Sequence, residues 1–348
     1  MSLATRIYLW LGVPRPFDAQ HRYVTSYLLP PFYLFLWRAT VGLYALFACI
    51  YTAARDGGST FSYFTNMCYF GLAGYFLASA AHTLSFWLSL RRWQRSRSSS
   101  SSSSSPSSDS SMAAAEYDEK KAGTVSSHGA EEAGEAPPRS SASYPRSWLD
   151  SFPRPLQAAH ALLVSTLTTY PLIVTIVYWL LLGNGTSFRT AYTSYSNMSK
   201  HALNLAVAVT DAVILSRAPM RPWWHLLAVV VMIASYIGVA YITHATQGFY
   251  TYDFLDLSKH SSGVVAAYII GIGVGTVVSF MIGQLLIFLR EWVAARIQKS
   301  GGWGSARVAG VVDDAFVPTP RGPGPEGEGG KRTEESQWRG RWPASAAE

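Results

Sequence analysis

"SNMSKHALNLAVAVTDAVIL", residues 196–215, is mostly apolar, yet it carries His201, Asn204 and Asp211. An apolar run of about 20 residues is long enough to cross a bilayer as a helix. Along it Asn197, His201, Asn204, Ala208 and Asp211 follow one another at spacings of 4, 3, 4 and 3, which keeps them on one helix face. Lipid cannot satisfy such a face, so it must look into a bundle of other helices. The stretch therefore predicts an all-α, multi-pass membrane protein.

The other helices are apolar runs at about 32–54, 61–90, 157–182, 224–246 and 264–289, which with 197–215 make six spans. Pro30-Pro31 suits the start of the first. Pro171 should kink the third. Residues 91–156 open with "RRWQRSR", pass through eight serines at 98–105 and end rich in Ala, Glu and Pro. They cannot bury enough apolar surface to fold and are expected to be disordered. The tail from 299 reads the same way. Four regions result: 1–90 with spans one and two, the insertion 91–156, spans three to six in 157–298, and the tail 299–348.

Lys and Arg set the orientation. The N-terminus, the insertion, the 216–223 connection and the tail from Arg290 hold three, nine, two and nine, while the alternate connections hold one, two and one. This bias of 23 against 4 puts both termini and the insertion in the cytoplasm. It also accounts for the net charge of +7, which therefore does not point to nucleic acid. The start, "MSLATRIYLWLGVPRPFD", has no small-residue cleavage site, so the first span is expected to be the insertion signal. The sequon Asn184-Gly185-Thr186 falls outside, and Asn197-Met198-Ser199 lies at a span edge. Cys49 and Cys68 both fall within spans, which excludes a disulfide framework. No Cys/His constellation suggests a metal, and no cofactor is expected.

Depth relates residues on different spans. Thr65 and His201 each lie four residues inside the outer end of their spans, roughly 6 Å down at the helical rise. Asn66, Asn197, Asn204 and, at the outer end of the fifth span, His244 share this band. A hydroxyl and an imidazole at equal depth suit a nucleophile and its base. Equally, Thr and His in spans often only bond across helices, and an ion path is a third reading. Arg38 and Asp211 also match in depth, so an intramembrane ion pair stands beside the alternative that Arg38 snorkels to the headgroups. His82 and His160 are expected to be structural. "GIGVG" at 271–275 lies inside a span and has no preceding strand, so it is no nucleotide loop; Gly271, Gly275, Ser279 and Gly283 form a helix-packing face. Trp223, Trp224, Phe249, Tyr250 and Tyr252 suit interfacial belts.

Three blocks carry a family resemblance. "GGSTFSYFTN" (57–66), "NMSKHALNLAVAVTD" (197–211) and "YITHATQGFYTYDFLD" (241–256) resemble, in order, segments of the androgen-induced gene family of multi-pass membrane threonine hydrolases. The resemblance covers roughly 25–90 and 150–290 and omits the insertion and tail. It implies that Thr65 is the nucleophile and His201 the base, acting on fatty acid esters of hydroxy fatty acids through an acyl-threonine intermediate. Asn197 and His244 are then expected to orient or polarise, with Asn66 and Asn204 as guesses for the oxyanion donor.

The expectation is thus an all-α, six-helix membrane bundle that hydrolyses lipid esters drawn from the bilayer, in the endoplasmic reticulum or another endomembrane, or alternatively the plasma membrane. A transporter or channel, and a membrane adaptor working through the insertion, are the rival classes. The sequence leaves oligomeric state open.

Overall fold

The computed structural model describes residues 2–102, 144–183, 185–220 and 222–299. Among them the chain is helical, with no strand beyond an isolated antiparallel bridge between Ser26 and Ser216. A short helix α1 (Leu3–Trp10) is capped by Ser2, whose hydroxyl accepts from the Thr5 amide. Helix α2 (Pro31–Asp56) begins where expected, with Pro31 at a position whose missing N–H costs nothing. It stops at Gly57, where φ is +64°, a conformation that favours glycine. Helix α3 spans Phe64–Ser102 and α4 spans Arg154–Val177, running on through Pro171. Then come α5 (Ala191–Leu215), α6 (Trp224–Gln247) and α7 (Ser262–Lys299).

Five segments, α2 with the turn after it, α4 with its extension to Leu182, α5, α6 and α7, are long and apolar enough to cross a membrane by length and composition. The chain's apolar surface is arranged for lipid. On α7, Ile270, Val274, Val278, Met281, Leu285 and Phe288 are exposed at spacings of 4, 4, 3, 4 and 3, while Thr276, Ser279 and Gln284 are buried on the other side. Polar groups turned inward and large apolar ones outward invert the pattern of a water-soluble helix.

Helix α3 is a different case. It is long, but Asn66, Ser79, His82, Thr83 and Ser85 are buried along it, and it packs on α2 and α4. Small residues let the helices close up. A Cβ at Gly42 of α2 would meet the Leu77 backbone nitrogen at 3.1 Å, and one at Gly275 of α7 would meet Ile173 Cδ1 at 2.8 Å. The expected packing face of α7 loses its first member: Gly271 is exposed, with nothing within 4 Å of a Cβ added there.

The expected disordered insertion needs correction at both edges. Helix α3 continues past residue 90 to Ser102. Residues after 144 dock back on it, with the Arg146 and Trp148 amides donating to the hydroxyls of Ser89 and Ser85 and Leu149 fully buried. A capping box between Ser147 and Asp150 then starts a helical turn at Trp148–Ser151. Residues 103–143, the tail beyond 299 and sequon Asn184 lie outside the described residues.

Three stretches are wound more widely than an α-helix: Tyr178–Leu182 at the end of α4, and Ser199–Leu203 and Thr210–Leu215 within α5. Such π turns are rare and gather at functional sites. One holds His201 and another holds Asp211. At the foot of α5, Arg290 donates to the carbonyls of Ala212, Ser216 and Ala218, satisfying acceptors that a helix end leaves free.

Candidate functional site

Thr65 owes its place to the turn before it. Gly57–Ser62 forms a 3₁₀ turn, and α3 starts two residues later. Two side chains fix this junction. Asn66 Nδ2 donates to the Thr60 carbonyl at 2.9 Å, and the Tyr236 hydroxyl of α6 donates to the Ser62 carbonyl at 2.7 Å. Asn66 is therefore a clamp at the helix start, with one amide N–H committed to it. Thr65 lies in the first turn of α3, where backbone amides have no intrahelical acceptor.

From there Thr65 lines a cavity of about 250 Å³ between α3, α4, α6, α7 and the 252–255 segment. Its walls are Ile, Val, Leu and aromatic side chains, and the only side-chain hydroxyls on them are those of Thr65, Tyr236 and Tyr252. The Tyr252 phenol interacts with both of the others. Burial pushes the Tyr252 phenol well above its ordinary range, so it stays protonated and acts as a donor, not a base. Tyr252 was expected in an interfacial belt. It instead folds inward, stacking on Phe254 at 5.2 Å and meeting Tyr63 and Tyr236. A second cavity of about 250 Å³ adjoins the first, and Phe64 and Tyr236 are common to both walls.

His201 is buried, with its ring stacked on Tyr178 at 3.7 Å and 7°. Its Nδ1 has no hydrogen-bond partner, and its carbonyl accepts from Trp179 Nε1 at 3.1 Å. Helix α4 thus carries the wall residues Ile173, Val174 and Val177 on one face and the His201 neighbours Tyr178 and Trp179 on the next. Thr65 and His201 make no hydrogen bond to each other.

The remaining residues are tied elsewhere. Asn204 Oδ1 accepts from Thr175 at 3.3 Å and from the Leu205 amide, which orients its side chain on α5. Asn197 donates to the Ser187 carbonyl at 2.8 Å. His244 stacks on Tyr250 at 3.8 Å with its Nδ1 unpartnered. Only Arg38 and Asp211 meet directly. Arg38 Nε and Nη2 donate to the two carboxylate oxygens at 3.0 and 3.2 Å, and both side chains are fully buried. Tyr75 donates to Asp211 at 2.7 Å, and Arg38 Nη1 reaches Thr83 and the Tyr23 carbonyl.

No family model, no curated protein and no solved structure matches the chain. Among the described residues, no group of three or more His, Cys, Asp or Glu side chains is placed to hold a metal ion.

Proposed function

We propose that the protein is a membrane-embedded hydrolase of lipid esters, a member of the androgen-induced gene family type, with Thr65 as nucleophile. The observation that carries this reading is the Thr65 hydroxyl on an otherwise apolar cavity beside the protonated Tyr252 phenol. An acyl chain fits such walls, and the adjoining second cavity suits a substrate with two apolar limbs meeting at one ester.

In the reaction, Thr65 Oγ attacks the ester carbonyl and its proton passes to His201. Tyr252 donates to the developing oxyanion. Collapse expels the alcohol, which takes the proton from the imidazole, and water then cleaves the acyl-threonine. Delivery of the Thr65 proton to His201 requires substrate-linked movement of the π-wound ends of α4 and α5. In this reading α3 is the sixth span, both termini are cytoplasmic, and the protein resides in the endoplasmic reticulum or another endomembrane.

The test is labelling by a long-chain fluorophosphonate followed by peptide mapping. The label is expected on Thr65 and retained in Thr65→Ser. Undiminished labelling of Thr65→Ala would remove Thr65 as the nucleophile.

A further inference from the structure

The two cavities meet at Phe64 and Tyr236, and among the described residues no Lys, Arg, His, Asp or Glu lines either one. The polar side chains of the second cavity are, moreover, already bonded. Its hydroxyls are those of Thr166, Tyr170, Ser235 and Tyr236, and each donates to a backbone carbonyl, at 2.9, 2.9, 2.8 and 2.7 Å. The Cys68 thiol on the same wall is a weak donor. In the first cavity the remaining hydroxyls are those of Thr65 and Tyr252, which the proposed reaction engages with the ester itself.

The family resemblance implies a substrate whose alcohol half is a hydroxy fatty acid, and that half ends in a carboxylate. These walls give a carboxylate nothing to bond. The second cavity follows α3 from Phe64 to Leu72, roughly 12 Å at the helical rise, away from the helix start that holds Thr65. A carboxylate on a limb lying there would rest against Leu72, Leu163 and Leu167. It would have to break a hydroxyl–carbonyl bond or stay unpaired. An unpaired buried charge is among the costliest groups to place, and it takes up a proton before it is buried. A terminal methyl group meets no such cost.

We propose that the ester taken at Thr65 is uncharged on both limbs: a fatty acid joined to a long-chain alcohol, not to a hydroxy acid with a free carboxylate. This rests on the hydrolase reading and narrows its substrate. Hydrolysis adds the elements of water across the ester C–O bond, so the products are a fatty acid and a neutral alcohol.

The test compares two palmitate esters that differ only at one chain end, that of octadecan-9-ol and that of 9-hydroxystearic acid. Palmitate release is followed with the full chain in phosphatidylcholine nanodiscs at pH 8. The alcohol ester is expected to show a kcat/KM about 10²-fold or more above that of the hydroxy-acid ester. The ratio should shrink as pH is lowered towards 5, because the acid loses its charge. Thermal unfolding of Thr65→Ala with each ester reads the same preference without turnover, and the alcohol ester should give the larger rise in Tm. Gly71 lines the second cavity, and a Cβ added there meets nothing within 4 Å, so Gly71→Phe should occupy the cavity and lower kcat/KM for the alcohol ester about tenfold.

Equal kcat/KM for the two esters, or faster release from the hydroxy-acid ester at pH 8, would overturn the proposal and leave the hydrolase reading standing. Absent or Thr65-independent hydrolysis would sink the hydrolase reading, and the Tm comparison on Thr65→Ala then decides which ester the cavities hold. A folded Gly71→Phe variant of unchanged kcat/KM would take the second cavity out of the substrate's path and remove the case against a carboxylate. Should Gly71→Phe fail to fold, the wild-type ratio and its pH dependence decide the matter.

Discussion

The Arg38–Asp211 cluster and the polar residues at the Thr65 end use similar chemistry in opposite ways. Around Arg38 the polar groups converge: Asp211, Thr83, Tyr75 and the Tyr23 carbonyl surround one guanidinium with no exposure to solvent. At the Thr65 end the imidazole Nδ1 atoms of His201 and His244 and the Thr60 hydroxyl are buried with no hydrogen-bond partner among the described residues. Saturated networks rigidify a fold, whereas buried groups left open carry a free-energy cost that a ligand can offset. The first region is a closed network that ties α2, α3 and α5 together, and the second is where the proposed hydrolysis is placed.

The largest test of that contrast is Arg38→Met. It leaves the Asp211 carboxylate buried without its counter-charge, which costs about 3–5 kcal/mol. Monodisperse yield and Tm in detergent should collapse, and Arg38→Met combined with Asp211→Leu should restore most of the loss. A single variant as stable as the wild type would show that the cluster is not the frame of the bundle.

Asp18 is linked to this cluster through Tyr23, whose carbonyl accepts from Arg38, and it is bonded yet still titrates. Its carboxylate accepts from the Arg22 and Tyr23 amides at 2.8 and 2.9 Å. Burial raises its pKa from 3.8 to about 6; the two amides oppose the rise and nearby Asp150 adds to it. A raised folded-state pKa means that the folded form holds the proton more tightly. The contribution is therefore complete below about pH 4 and is lost as pH rises through about 6, a change of about 3 kcal/mol. His21 runs the other way, because burial lowers its pKa, with Asp150 opposing and Arg146 assisting, so its contribution is lost as pH falls below about 6.5. Asp18→Asn removes only the first of these. Its Tm relative to the wild type should improve between pH 4 and pH 7, and a pH-independent difference would contradict this assignment.

The fold was largely legible because its signals are local. The spacing across 197–211 set a buried face, and His201, Asn204, Ala208 and Asp211 are all buried. Depth counting alone paired Arg38 with Asp211. It could not pair Thr65 with a partner, because equal depth leaves the rotation of each helix free, and the π turns shift that rotation further. Tyr252 was missed because an aromatic in a connecting loop resembles any belt residue until the loop folds inward. The insertion edges were misjudged because composition averages hid the Ser147–Asp150 box.

At the open end, Tyr252→Phe separates an active phenol from a packed one. The ring contacts with Phe254 and Tyr236 persist while the donor is lost. Hydrolysis should slow about 10²-fold in kcat, with a much smaller change in KM, as befits a donor used in the transition state. Equal losses in binding and turnover would return Tyr252 to a packing role.

Asn66→Ala gives the smallest effect and the finest division between the two regions. The variant loses the donor to the Thr60 carbonyl, a cost of about 1 kcal/mol. If Asn66 only holds the helix end, Tm should fall slightly and the labelling rate of Thr65 should stay constant. The geometry favours more, because this bond and that of Tyr236 to the Ser62 carbonyl both hold the 3₁₀ turn ahead of Thr65. A hydroxyl set by two bonds loses its aim when one is removed, so labelling should slow several-fold more than the change in stability explains. Slower labelling with Tm nearly unchanged would assign Asn66 to positioning the nucleophile. Parallel changes in both would place it with the framework that Arg38 anchors.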